Sequence, residues 1–151
     1  MGFLVHNWPP ARIFMGDAGS AFLGAFYGMQ SVVAALSTPV PFPVLVLPFA
    51  NFILDTTFTL FRRLIRREKW YQAHRSHFYQ RMTGLGMTHR KVTSIELLVV
   101  VASCAAAAAC IPAGPAVRIA LVVSVTAGIA CGGLWVWGKE RPDPLVNYKS
   151  D

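Results

Sequence analysis

Two long stretches without charge place the strongest constraint on how this sequence can fold. Residues 18–54 form a run of 37 positions without Asp, Glu, Lys or Arg, and residues 97–138 contain a single charged side chain, Arg118. A soluble protein of 151 residues has no interior large enough to bury both stretches, whereas a bilayer takes about 20 apolar residues per helical span. The mean hydropathy of +0.47 agrees. We therefore expect an all-α, polytopic membrane protein.

Proline-rich turns divide each stretch into a helical hairpin. Three prolines within residues 39–43 end the first span, and the sequence Pro112-Ala113-Gly114-Pro115 reverses the chain between the last two spans. About four transmembrane helices result, at residues 19–36, 44–61, 94–111 and 116–137. The predicted order is a loop with catalytic-type residues (1–18), a first hairpin (19–61), a basic loop with a central amphipathic helix (62–93), a second hairpin (94–137) and a polar tail (138–151).

The basic residues are distributed unevenly across these spans. Four spans place the N-terminal loop, the basic loop and the tail on one side, which then holds 13 of the 14 Lys and Arg residues. The positive-inside rule makes that side cytoplasmic. A net charge of +7 that flanks membrane spans favours anionic lipid and phosphorylated substrates over nucleic acid. The three cysteines lie inside apolar segments and are interpreted as packing residues.

The N-terminal loop holds a lone carboxylate, Asp17, between Gly16 and Gly19 at the start of the first span. Glycine permits tight backbone geometry there, and free N–H groups at a helix start can face an anion. Two interpretations remain open. Asp17 could cap the helix, since Asp is a favoured N-cap residue, or it could bind Mg²⁺, which takes few protein carboxylates together with phosphate oxygens.

A second set of candidates lies in the basic loop, where His74, His77 and Arg81 stand at spacings of three and four residues. On one helix they would form a single stripe, which suits a pyrophosphate because imidazole and guanidinium groups supply N–H donors. The alternatives are a solvated basic face that binds anionic lipid, and a zinc site, for which only His89 offers a further nearby ligand.

Asp55 lies inside the second span, seven residues before Arg62. An ionisable group at that depth is costly, so it indicates either a buried partner or a supporting role in catalysis. The basic group that follows it is typical of a membrane-interface anchor more than of a substrate clamp. This group comprises Arg62, Arg63, Arg66 and Arg67.

At these residues the sequence resembles the polyprenyl-phosphate N-acetylhexosamine-1-phosphate transferases, also called glycosyltransferase family 4. The family's loop Asn-x-x-Pro-Ala-(basic)-Ile-Phe-Met-Gly-Asp-x-Gly-Ser occurs complete from Asn7 to Ser20. The membrane Asp followed by a basic helix end resembles Asp55 with Arg62, and the family's His-rich loop resembles residues 74–81. Ser76 stands where some branches have His, so the resemblance is closer to the O-antigen-initiating branch than to the peptidoglycan branch.

The resemblance implies a phosphoglycosyl transfer at the bacterial inner (plasma) membrane. A sugar 1-phosphate would pass from a UDP-sugar to undecaprenyl or another polyprenyl phosphate, with Mg²⁺ as cofactor and Mn²⁺ as its substitute, and UMP would be released. Asp17 is the implied metal-binding and catalytic carboxylate. The implied substrate contacts are Asn7, His74, Arg75, His77 and Arg81, with support from Gly16, Gly19 and Asp55.

Members of this family are about twice as long and carry an Asp-Asp pair and an Asn-rich loop in earlier spans, neither of which occurs here. The sequence is therefore expected to be the C-terminal portion of such an enzyme, incomplete in isolation. It would act with the missing N-terminal half or with a homodimer partner. The alternative hypothesis is a truncated, non-catalytic membrane remnant or partner subunit.

Overall fold

The computed structural model describes residues 2–65 and 77–139, and this part of the chain is helical without any β-strand. The all-α prediction is therefore confirmed. Seven α-helices and one 3₁₀ turn follow one another within the described ranges. They are α1 (Gly2–Asn7), α2 (Gly16–Ser37), α3 (Phe42–Val46), the 3₁₀ turn (Leu47–Phe49), α4 (Ala50–Ile65), α5 (Phe78–Gly84), α6 (His89–Cys110) and α7 (Pro115–Lys139).

Four helical segments are long and apolar enough to cross a membrane, which confirms the four predicted spans and makes the chain a multi-pass membrane protein. They are Gly16–Ser37, Phe42–Ile65, His89–Cys110 and Pro115–Lys139. Each helical segment begins before the predicted span, and three of the four also end after it. The reason is that helical hydrogen bonding continues into the polar flanking residues, whose side chains reach water. Residues 62–65 and 89–93, which the sequence pattern places in the basic loop, are consequently helical. Most side chains on these helices face outward, as expected for surfaces covered by lipid.

The second span is interrupted, whereas the sequence predicts one continuous helix. Helix α3 has Pro41 as its N-cap residue and gives way at Leu47 to the 3₁₀ turn that contains Pro48, before α4 continues from Ala50. Proline lacks an N–H and its ring crowds the carbonyl four residues earlier, so the α-helical ladder breaks there. The two helical pieces still form one membrane-length segment.

Polar side chains satisfy the carbonyl groups where two membrane helices end. Thr38 donates from its backbone N–H and its hydroxyl to the carbonyl of Ala34 at the end of α2. Arg118, in the first turn region of α7, donates to the carbonyls of Cys110 and Ile111, both at 2.9 Å. The one basic residue on the opposite side of the predicted topology therefore closes the end of α6.

A small core anchors α5 against the last two spans. Met82 of α5 is buried with Val92 of α6 and Val136 of α7, and Met87 packs against the three. The short helix α5, which corresponds to the predicted amphipathic helix of the basic loop, is therefore fixed at one end of α6 and α7. Residues near its N-terminus are positioned by this packing.

Candidate functional site

The N-terminal loop is held to α1 by local hydrogen bonds. The side-chain amide of Asn7 donates to the carbonyl of Ile13 at 2.8 Å, and the N–H of Arg12 donates to the carbonyl of His6 at 2.9 Å. These two bonds close the segment 8–15 into a compact loop that leads into α2. Asn7, a predicted substrate contact, thus shapes the loop that precedes Asp17.

The start of α2 explains both glycines of the motif. Gly16 has a φ of +69°, a backbone conformation that residues with a Cβ atom rarely adopt. At Gly19 a Cβ atom would come within 2.6 Å of Cγ of Met15, so the glycine leaves room for the methionine side chain to fold over the first turn. Both glycines therefore set the position of Asp17 between them.

Asp17 lies in the first turn of α2 and is exposed to solvent. The N-cap residue is Met15, and no side chain caps the helix, so the capping interpretation of Asp17 is wrong. Its carboxylate forms no hydrogen bond or ion pair with any residue in the two described ranges. Its surroundings are electropositive, because unpaired backbone N–H groups collect at a helix start. The carboxylate is therefore open to a ligand.

One long-range hydrogen bond ties this loop to the far end of the basic loop. Nε of Arg90, at the start of α6, donates to the carbonyl of Pro9 at 3.0 Å. The bond places the entrance to the first span and the entrance to the third span on the same side of the protein, as the predicted topology requires. The start of α2, which carries Asp17, and the start of α6 therefore lie on one side of the protein.

The structure brings Asp55 and His77 together. Oδ2 of Asp55, on α4, lies 3.2 Å from Nδ1 of His77, which is the N-cap residue of α5. Oδ1 accepts the backbone N–H of Phe78 at 3.0 Å and the hydroxyl of Thr59 at 3.2 Å. Of the two interpretations of Asp55, a buried partner and a supporting role in catalysis, the structure shows the partner: it is His77 together with the N-terminus of α5, which the carboxylate closes from another helix.

The predicted histidine stripe requires a correction. His77 precedes α5 with an extended backbone (φ −68°, ψ 151°), so it does not continue one helical face with Arg81. The reason is that the first N–H of α5 is taken by Asp55 instead of by an earlier turn of the same helix. Arg81 is only 7% exposed, with its guanidinium 5.6 Å from the ring centroid of Phe78. His74, Arg75 and Ser76 lie outside the described residues.

Metal binding at this site would depend on ligands from the substrate. Among the described residues no group of three or more His, Cys, Asp or Glu side chains could hold a metal ion, so these residues form no zinc centre. Mg²⁺ does not require such a group, because it keeps several waters and binds through one or two carboxylates plus phosphate oxygens. The open carboxylate of Asp17 fits that mode.

A polar pair and a cavity lie deeper between the spans, and neither is predicted from the sequence. Asn51 of α4 donates to the carboxylate of Glu96 on α6. Glu96 was the available signal, since it is an acidic residue near the start of the predicted third span. Beside the pair is a cavity of about 490 Å³ with an almost wholly apolar lining, bordered at the end near α5 by Phe78 and Met82.

These features define a class: a multi-pass helical membrane protein with an open carboxylate at a helix start and a histidine, His77, held beside an aspartate of the second span. Comparison with known proteins narrows the class further. Residues 1–35, which include the whole loop around Asp17, match the family described as glycosyl transferase family 4. No solved structure matches the chain significantly.

Curated relatives extend the similarity over the rest of the chain. A probable undecaprenyl-phosphate N-acetylglucosaminyl 1-phosphate transferase of Bacillus subtilis is 35% identical over 105 residues, covering 66% of this chain and 28% of its own length. A decaprenyl-phosphate N-acetylglucosaminephosphotransferase of Mycobacterium tuberculosis is 30% identical over the whole chain, which spans 39% of that enzyme. A phospho-N-acetylmuramoyl-pentapeptide-transferase of Thermotoga neapolitana is 44% identical over 70 residues, covering 44% of this chain and 23% of its own length.

The chain thus spans between about a quarter and two fifths of the length of these relatives. The relatives carry the names of polyprenyl-phosphate N-acetylglucosamine and of N-acetylmuramoyl-pentapeptide transferases alike. The similarity therefore supports the resemblance to this group of transferases but does not separate the O-antigen branch from the peptidoglycan branch.

Proposed function

We propose that this chain carries part of the active site of a membrane enzyme that transfers a sugar 1-phosphate from a UDP-sugar to polyprenyl phosphate. An oxygen of the polyprenyl phosphate attacks the β-phosphorus of the UDP-sugar, the bond to UMP breaks, and the products are polyprenyl diphosphosugar and UMP. The observation that carries the proposal is the open carboxylate of Asp17 in a glycine-framed helix start, within the residues that match glycosyl transferase family 4.

Each candidate residue has a role that follows from its surroundings. Asp17 would hold Mg²⁺, or Mn²⁺ in its place, and the bound metal supplies positive charge that offsets the charge of the pyrophosphate. Gly16 and Gly19 keep Asp17 at the first turn of α2, and Asn7 holds the loop that leads to it. His77 binds substrate phosphate.

His74, Arg75, Arg81 and Asp55 complete the proposed site. His74 and Arg75 are assigned to substrate phosphate from the family resemblance, and Arg81 supports the loop from its buried position against Phe78. Asp55 braces His77 from the membrane side. Together these groups would bind the charged portion of the UDP-sugar at the membrane surface.

The setting of this reaction is proposed to be the cytoplasmic face of the bacterial inner membrane. Four spans and a strongly one-sided distribution of Lys and Arg support that orientation. The lipid acceptor reaches such a site from within the bilayer, while the nucleotide sugar arrives from the aqueous side. We further propose an N-acetylhexosamine as the sugar and an O-antigen-type lipid-linked glycan as the product.

The test measures UMP release and the transfer of radiolabelled N-acetylhexosamine phosphate to undecaprenyl phosphate in membranes. Because the relatives are longer, two preparations are compared: the chain alone, and the chain co-expressed with the N-terminal spans of the B. subtilis relative. We expect metal-dependent transfer in the second preparation, and its loss on adding EDTA. The N-terminal spans expressed alone are the control.

A lack of transfer in both preparations would contradict the proposal. If neither preparation transfers sugar phosphate while the intact B. subtilis relative does so in the same membranes, the chain is a non-catalytic partner or remnant. Replacing UDP-N-acetylglucosamine with UDP-N-acetylgalactosamine or UDP-N-acetylmuramoyl-pentapeptide in the active preparation then tests the sugar and the branch separately from the reaction.

A further inference from the structure

We infer that Arg90 is a positioning residue for the proposed reaction: from the start of α6 it holds the loop that leads to Asp17, and so sets the place of Asp17 relative to His77. The inference rests on the proposed function for the task that Asp17 and His77 share. The contact made by Arg90 lies within the chain, so it can be measured without any turnover.

The start of α6 is a fixed base for the Arg90 side chain. Thr88 is the N-cap residue of this helix, and its hydroxyl accepts the N–H of Lys91 at 3.4 Å. Val92, two residues after Arg90, is only 4% exposed and belongs to the small core that α6 shares with α5 and α7. His77 is the N-cap residue of α5. Arg90 and His77 are therefore both attached to helices that meet in this core.

The loop before Asp17 reaches these helices through Arg90. The hydrogen bonds of the loop itself close it onto α1 and stay within residues 4–13. Among the described residues, a single hydrogen bond joins residues 2–14 to a helix beyond α2. It is the bond from Nε of Arg90 to the carbonyl of Pro9, at 3.0 Å, and it connects positions that are 81 residues apart.

A contact near Asp17 matters because the packing of α2 lies further along the helix. The buried residue of α2 is Ser31, and the ring of Tyr27 packs against Phe49 of the 3₁₀ turn with centroids 5.5 Å apart. Asp17 precedes Tyr27 by ten residues, which is about 15 Å along an α-helix. A helix that is packed only beyond that point can tilt, and its far end moves most. The bond to Pro9 restrains this end.

The separation of Asp17 and His77 matters because both are assigned to one ligand. Asp17 would act through Mg²⁺ and His77 on substrate phosphate, so the pyrophosphate of the UDP-sugar has to meet both at once. A misplacement of about 1 Å between reacting groups can cost about a hundredfold in rate. By holding the loop, Arg90 keeps the two parts of the proposed site at one separation.

The direct test is the proximity of the loop to α6, measured by NMR on the full chain in lipid nanodiscs. A nitroxide is attached at His89→Cys, the exposed first residue of α6, in a chain whose own cysteines are changed to alanine. The probe is the indole N–H of Trp8, which is assigned by its loss in Trp8→Phe. We expect the nitroxide to broaden this signal. The broadening should weaken without the Arg90 bond, since losing one hydrogen bond shifts the equilibrium towards a detached loop by about three- to tenfold.

Three variants separate the bond from the charge of Arg90. Arg90→Lys keeps the charge but has a methylene group in place of Nε, so the broadening should weaken. Arg90→Gln loses the charge but has an N–H donor at the position of Nε, so the broadening should stay close to the wild-type value. Lys91→Gln removes a charge from the neighbouring exposed residue and should change nothing. The signals of Trp135 and Trp137, both on α7, report whether the fold is intact.

Two NMR results would overturn the inference. The first is a wild-type chain in which the nitroxide does not broaden the Trp8 signal, because the loop would then lie away from α6. The second is equal broadening in the wild type and Arg90→Lys, whatever the result for Arg90→Gln, because the bond from Nε would then not hold the loop.

Kinetics of the co-expressed preparation test the effect on Asp17. Arg90→Lys should lower kcat about tenfold, less than the roughly hundredfold cost of a 1 Å misplacement, and should raise the Mg²⁺ concentration for half-maximal UMP release. Arg90→Gln should recover most of both. A loss of folded protein, in contrast, lowers the maximal rate without shifting the Mg²⁺ dependence.

The kinetic outcomes distinguish the inference from the proposed function. Unchanged kcat and Mg²⁺ dependence in Arg90→Lys would contradict the inference and leave the proposed function standing. If the wild type does not turn over, the proposed function fails together with the role of Arg90 in it, and NMR still decides whether Arg90 holds the loop.

Discussion

At the scale of single residues, the environments of Asp17 and His77 assign them to different parts of the proposed reaction. Asp17 is exposed, and its carboxylate makes no hydrogen bond or ion pair within the described part of the chain, so its charge is available to a metal ion that offsets charge growing along the reaction. His77 is restrained by Asp55, and it would meet phosphates that are already charged in the ground state. Substitution of Asp17 should therefore lower kcat, and substitution of His77 should raise KM.

The first prediction is that Asp17→Asn lowers kcat in the co-expressed preparation by at least about a hundredfold, comparable to the loss of one key electrostatic group. The dependence of UMP release on Mg²⁺ concentration should shift to higher concentrations as well. Because Asp17 does not cap α2, the amount of folded protein should not fall. Unchanged kcat together with unchanged Mg²⁺ dependence would remove Asp17 from the active site.

The second prediction is that His77→Ala raises KM for the UDP-sugar by about ten- to a hundredfold, the range expected for one lost hydrogen bond to a charged group. The value of kcat should change much less, because the contact is made equally in the ground state and the transition state. Initial rates over a range of UDP-sugar concentrations measure both parameters. A fall in kcat with constant KM would instead assign His77 to the chemical step.

At the scale of helices, α5 is the element that joins His77 to the membrane-spanning helices. Its N-terminus is held by Asp55, its first side chain packs on α4 and α7, and Met82 enters the small core. The aromatic contacts continue from Phe58 to Trp137, whose ring centroids are 5.2 Å apart. Changes in α7 should therefore alter the position of His77.

Gly133 tests this coupling, because a Cβ atom there would lie 2.4 Å from Cζ of Phe78. We predict that Gly133→Ala displaces the phenylalanine ring and destabilises the protein by about 1–3 kcal/mol, the usual cost of overpacking. It should also raise KM for the UDP-sugar, since His77 precedes Phe78. Thermal unfolding in detergent and initial-rate kinetics measure the two effects.

The neighbouring glycine supplies a matched control. At Gly132 a Cβ atom would meet nothing within 4 Å, so Gly132→Ala should leave KM unchanged and stabilise the helix by up to about 1 kcal/mol. Equal effects of the two substitutions on KM and on stability would show that the close contact between Gly133 and the ring of Phe78 does not position α5.

The membrane spans could be predicted from sequence because their signals are local. Apolar length identifies a span within its own residues, and prolines such as Pro112 mark the turn that follows. The same local signals place residues 89–93 in a loop, which is wrong, because their polarity hides a helical start at His89.

The candidate site was predictable only in its residue types. The motif indicated Asp17 and His77, but the contact between His77 and Asp55 joins two segments that are far apart in the sequence. The hydrogen bond between Asn51 and Glu96 spans 45 residues. Such pairs depend on how helices pack, and neither hydropathy nor spacing within one segment carries that information.

At the scale of the whole molecule, the proposed reaction requires the N-terminal loop and the basic loop to face the same compartment. The hydrogen bond from Arg90 to Pro9 joins the two entrances, and Arg118, the basic residue on the other side of the predicted topology, donates to the carbonyls at the end of α6. The guanidinium of Arg118 therefore has a structural task at the end of α6.

The last prediction is that the turn between α5 and α6 faces the cytoplasm and the turn between α6 and α7 faces the periplasm. Leu85→Cys and Gly114→Cys place one exposed thiol in each turn, in a chain whose own cysteines are changed to alanine. A membrane-impermeant maleimide added to intact cells should label Gly114→Cys readily, and Leu85→Cys only after the inner membrane is permeabilised. The reason is that α6 crosses the membrane once between the two positions, while the Lys and Arg residues gather at the Leu85 side. The reverse labelling pattern would place Asp17 and His77 outside the cell, where no UDP-sugar is supplied, and would contradict the proposed function together with the topology.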